Sequence, residues 1–144
     1  MNIYADTGML ISLYSQDANS GQARSIAVRH HPTFLLTGFG EAQFANACQL
    51  RVFRKPWTRA QAQVVREKFV LHLRSGVFKL EEVPHQVWAL AVSLSDLHTA
   101  TLGTRGLDVL HVASALILKP AAFGSFDERQ RSLARAMGLR LLPS

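Results

Sequence analysis

Four carboxylates stand in one kind of place in this chain. Asp6 follows Tyr4-Ala5, Glu41 follows Phe39-Gly40, Asp108 lies between Leu107 and Val109, and Asp127 follows Ser125-Phe126. Each is flanked by apolar or small residues, whereas surface acids sit among polar neighbours, as Glu81 and Glu82 partly do. The chain has only 10 acidic residues, so four in this setting are a large share. Taken singly, each has a plain structural use. Asp6 and Asp127 can cap helices, Gln130 follows Asp127 at capping-box spacing, and Glu41 and Asp108 suit a helix N-terminal dipole. Drawn into one pocket they would repel one another and keep their protons unless a hard cation joined them. A site built only of oxygen suits Mg2+ or Mn2+.

Four further residues could serve such a pocket. Arg105 can hold a phosphate or pair with a carboxylate, and the residue type alone does not choose. His111 follows Asp108 by one helical turn and faces the same way; a hydrogen-bonded support suits it better than metal ligation. Asp96 and His98, in Ser95-Asp96-Leu97-His98, precede the central helix and would line the pocket mouth. The formal net charge is +6, and 12 of the 16 basic residues are arginine. An acidic metal pocket inside a basic protein points to a phosphate-bearing substrate, nucleic acid first. An acidic protein partner suits the charge equally.

The elements that must position these groups are short. A buried strand over Met1–Ala5 ends at Asp6, and a second, Thr33–Leu36, is followed by Thr37-Gly38-Phe39-Gly40 before Glu41 opens a helix. Thr58 to Gln61 has the form of a capping box and starts a long helix to about Ser75. Val77–Glu81 reads as a third strand, Pro84 begins another helix to about Thr101, Ala121–Phe126 reads as a fourth strand, weakened by its glycine, and Leu139–Leu142 as a last one. Between them, Thr104–Leu116 is a helix apolar nearly all round after its first turn, hence a buried one. Apolar strands alternating with helices argue for a parallel sheet covered on both faces. The expectation is an α/β fold in one domain, 1–144, with Asp6, Glu41 and Asp127 beyond the carboxyl ends of strands, where open parallel sheets bind ligands.

Cys48 is the single cysteine, in an apolar helical run, and reads as a buried, inert thiol. No disulfide within the chain, no basic leader with a long apolar run and no apolar stretch of ~18 residues point to a cytoplasmic protein with no membrane span.

The chain resembles the PIN-domain nucleases, and within them the VapC-type toxins of bacterial toxin–antitoxin pairs. The likeness is carried, in order, by Tyr4-Ala5-Asp6-Thr7, by Glu41 with its small-residue helix, by Arg105 to Ala115, and by Ser125 to Gln130. It implies a short central parallel sheet flanked by helices and one or two Mg2+ or Mn2+ ions held by Asp6, Glu41, Asp108 and Asp127. It also implies an endoribonuclease that cuts RNA with metal-activated water, and a cognate antitoxin protein as inhibitor; it leaves a homodimer open. The rival expectation is a non-catalytic RNA- or protein-binding module on a PIN-like fold.

Overall fold

The computed structural model describes all 144 residues. Five parallel strands form one sheet in the order β3-β2-β1-β4-β5, where β1 is Asn2–Ala5, β2 Thr33–Thr37, β3 Phe78–Glu81, β4 Ala122–Gly124 and β5 Leu141–Leu142. The chain winds from β1 towards β3 on one side, then returns to place β4 and β5 on the other. The reversal falls between β1 and β4, so a crevice opens beyond the carboxyl ends of these two strands.

Alternation along β1 divides the interior in two. Ile3 and Ala5 face a cluster with Met9 and Leu10 of α1 (Thr7–Tyr14), Ala23 and Ile26 of α2 (Ser20–His30), Phe44 and Cys48 of α3 (Gly38–Phe53), and Phe69 of α4 (Arg59–Arg74). Tyr4 faces the opposite cluster, which holds Leu94 of α5 (Val87–Leu94), Val112 of α7 (Gly106–Leu118) and Leu133 of α8 (Glu128–Ala136). Successive strand side chains point to opposite faces, so one four-residue strand anchors both layers. Cys48 is buried, as its apolar surroundings require.

The strand glycine that weakened the reading of β4 has a packing role. A Cβ on Gly124 would lie 3.1 Å from Met9 Cε and 3.3 Å from the Tyr4 carbonyl oxygen, so only glycine lets β1 and α1 approach this closely. The Thr58–Gln61 capping box is present and opens α4. Two boundaries differ from expectation. α3 begins at Gly38, three residues before Glu41, because the Thr37 side chain accepts from the Gly40 N–H and turns the strand end directly into a helix. The helix expected to run from Pro84 to about Thr101 is interrupted: α5 ends at Leu94, a π-helical turn covers Ser95–Thr99, and α6 (Ala100–Leu102) stops at Gly103, whose φ is +67°.

Candidate active site

The crevice beyond β1 and β4 is a pocket lined by Asp6, Arg105, Asp108, Asp127, Gln43 and His111, among others. Three of the acids expected there meet in it, brought by three different devices. Asp6 ends β1 and caps α1, its Oδ1 accepting from the Met9 N–H at 2.7 Å. Asp127 caps α8, its Oδ1 accepting from the N–H groups of Arg129 and Gln130. Asp108 sits in the first turn of α7, its Oδ2 accepting from the Arg105 backbone N–H at 2.9 Å. The capping uses foreseen for these residues are therefore real, and they also aim the carboxylates: free N–H groups at three helix starts fix three acids around one cavity.

The electrostatics of the three differ. Asp6 is 1% exposed, and burial first, then the nearby charges of Asp127 and Asp108, push its pKa up to about 6. The Ser125 hydroxyl, donating to Asp6 Oδ2 at 2.6 Å, and the Met9 N–H limit that rise. Burial also works against the Asp108 carboxylate, but the Arg105 N–H, its guanidinium and Gln130 outweigh it and hold the carboxyl below the usual range. Arg105 spans two acids, with Nε 3.2 Å from Asp108 Oδ2 and Nη2 3.1 Å from Asp127 Oδ2. Its side chain is 64% exposed, so these ion pairs are exchangeable rather than fixed.

Three sequence expectations fail. Glu41 does not enter the pocket. Because α3 starts at Gly38, Glu41 is turned towards α4, where Arg66 Nη2 lies 4.0 Å from it. Gln43, two residues on and about 200° further round the helix, takes the pocket position. Asp96 and His98 lie in the π-helical turn and line no part of the cavity; Asp96 is exposed. His111 does line it, at 1% exposure and with both ring nitrogens hydrogen-bonded. Sequence reasoning missed Gln43, Thr7 and Gln130 as pocket residues. Only Gln130 carried a signal, its capping-box spacing from Asp127.

No family model matches the sequence, and no curated protein matches it. Among solved structures, the chain is similar to Mycobacterium tuberculosis VapC20, a sarcin-ricin loop cleaving toxin, with a TM-score of 0.69 and 17% identity over 95% of both chains. The fold is that of a VapC-type PIN domain. On this PIN-type fold the site-bearing segments are those the sequence resemblance rested on, save that the small-residue helix presents Gln43 in place of Glu41.

The VapC-like fold implies a divalent cation, and the pocket's chemistry can be tested against one. No three His, Cys, Asp or Glu side chains stand close enough to ligate one ion together. Mg2+, however, keeps several waters and is commonly held by one or two carboxylates with substrate phosphate completing its shell. Three aspartates around one cavity suit that kind of site. So does Gln130 Oε1, a buried acceptor beside Asp108 with no donor of its own. The residues present fit a hydrated cation. The charge it would supply is now supplied by Arg105. No helix is long and apolar enough to cross a membrane.

Proposed function

We propose that the protein is a Mg2+- or Mn2+-dependent endoribonuclease, the toxin member of a toxin–antitoxin pair, acting in the cytoplasm and restrained by a cognate antitoxin protein. The observation that carries this reading is the meeting of Asp6, Asp108 and Asp127, from three remote segments, in one pocket on the fold of an RNA-cleaving toxin. A purely structural use of three helix caps gives no reason for their carboxylates to face one another. One or two of Asp6, Asp108 and Asp127, with water, would hold the cation, which when bound would supply a Lewis acid for the phosphate and acidify water.

The remaining work belongs to the chain's own groups. Ser125 and the Met9 N–H fix the orientation of Asp6, and Gln130 fixes Asp108. Asp6, with its pKa raised to about 6, exchanges its proton close to the neutral range. Arg105, whose ion pairs with Asp108 and Asp127 are largely exposed, would offer its fork to a phosphate of the incoming RNA in exchange for them. The 12 arginines of this basic chain supply the salt-sensitive part of RNA affinity.

The test is an assay of antitoxin-free protein on total RNA with Mg2+ or Mn2+, followed by mapping of the cut ends. Cleavage that needs the metal and disappears in Asp108→Asn supports the reading. Purified protein that binds RNA yet never cleaves it with either metal hands the case to the binding module.

A further inference from the structure

Gln43 is the one α3 side chain in the pocket, and its amide oxygen is turned towards Thr7 and His111. Its Oε1 is fully used: the Thr7 hydroxyl donates to it at 2.9 Å, and His111 Nε2 lies 2.7 Å away. The other ring nitrogen, His111 Nδ1, lies 2.8 Å from the Tyr4 hydroxyl. Burial pushes the His111 pKa down to about 4, so the ring is neutral and carries one proton. A carbonyl oxygen only accepts, which places that proton on Nε2 and makes Tyr4 the donor to Nδ1. Hydrogen bonds from Tyr4 to His111 and from His111 to Gln43 thus run in one direction. Gly40, one turn before, lies against the same ring: a Cβ there would sit in ordinary contact, 3.8 Å from His111 Cε1. With its oxygen turned inward, Gln43 presents its Nε2 and two N–H groups to the cavity. That nitrogen bonds to nothing within the protein and is not enclosed.

A donor of this kind repels a cation and attracts an anion. Resting on the ribonuclease reading, we propose that Gln43 is a substrate-binding residue that donates its amide N–H groups to a non-bridging phosphate oxygen of the RNA backbone, with Tyr4 and His111 as positioning residues that keep its carbonyl away from the cation site. Gln43 and Arg105, which line the same pocket, then make a two-part phosphate clamp, one part neutral and one charged. The neutral part adds contact without competing with the cation for Asp6 or Asp108.

Binding of fluorescein-labelled RNA to the intact protein in chelator, across a salt series, tests this without any cleavage. Gln43→Leu removes the donor and should weaken binding about tenfold, the value of a hydrogen bond to a charged group. Because Gln43 is neutral, the slope of log affinity against log salt should not change, whereas Arg105→Ala should lower that slope by about one. Gln43→Glu keeps both inward hydrogen bonds, and so the fold, but turns a carboxylate to the phosphate. It should weaken RNA binding more than Gln43→Leu while enlarging the Mn2+-induced rise in Tm. Tyr4→Phe removes the hydrogen bond that pins the ring, and 15N shifts of His111 should then show a mixture of tautomers in place of Nε2–H alone, with RNA affinity falling several-fold. Gln43→Leu and Gln43→Glu that both bind RNA within twofold of the parent would overturn the assignment. A parent that binds RNA in chelator but does not cut it with metal would sink the ribonuclease reading and leave this result standing.

Discussion

Two tyrosine–histidine hydrogen bonds lie on opposite faces of the sheet, one buried and one half-buried. Tyr4 bonds His111 in the layer of α5, α7 and α8, and Tyr14 bonds His72 in the layer of α1 to α4. The residue types match and the surroundings do not. Tyr14 and His72 are packed among Phe44 and Phe78, and the second ring nitrogen of His72 meets no polar group. His111 passes its second nitrogen on to Gln43 at the pocket wall. Burial lowers the pKa of both histidines, with Lys68 adding to the effect on His72, so perturbed titration alone does not separate a site from a core. What separates them is where the far side of the ring points. The Tyr14 pair satisfies polar atoms inside an aromatic cluster, while the Tyr4 pair orients a group that meets ligand.

The comparison breaks most visibly at the carboxylates. Asp108→Asn should lower RNA cleavage about a thousandfold or more, as expected for removing one group that stabilises developing charge. RNA affinity should stay level or improve, read by binding in chelator beside single-turnover cleavage.

Asp6→Asn comes next. Asp6 has a folded pKa of about 6, above its ordinary 3.8, so its contribution favours the fold at low pH and is lost as pH rises through 6. Relieving it should stabilise the metal-free protein at pH 7.5 by up to about 3 kcal/mol and abolish the Mn2+-induced shift in Tm. An unchanged Mn2+ shift would place the cation elsewhere.

The same variant exposes the histidine. The folded pKa of His111 lies near 4, below its ordinary 6.5, so stability is lost as pH falls from 6.5 towards 4. In the parent, Asp6 and His111 titrate with opposite sign over nearly the same window and largely cancel. Thermal melts from pH 4 to 7 should therefore be flatter for the parent than for Asp6→Asn, and equal steepness would contradict the pairing of these shifts.

The smallest effect sharpens the contrast between the two tyrosines. Tyr14→Phe should cost about 1 kcal/mol of stability, one net hydrogen bond, and leave RNA affinity untouched. A drop in affinity as large as that of Tyr4→Phe would show that the aromatic layer also reaches the ligand.

Much of the site was legible in the chain because helix starts have a chemical signature. Asp6, Asp108 and Asp127 each combine a capping position with apolar flanks, and strand ends in a parallel sheet share one edge. The α3 position was not legible, for a local reason. Thr37-Gly38-Phe39-Gly40 has the composition of a turn, yet the Thr37 hydroxyl caps Gly40 and makes it helix. A start three residues early rotates the whole face, and nothing in the composition distinguishes Glu41 from Gln43 once the phase is lost. Asp96 and His98 differ for another cause: they precede the central helix in the chain, but they lie in the π-helical turn at Ser95–Thr99 and do not line the crevice.

The hydrogen bond from Ser125 to Asp6 joins residues 119 apart. β4, which carries Ser125 to the crevice, pairs with β1 through only three residues. Until β4 has been made and has paired with β1, Asp6 stands beside an empty sheet edge, since distant parts must meet before the crevice closes. On the ribonuclease reading, a fragment that stops short of β4 has no finished pocket.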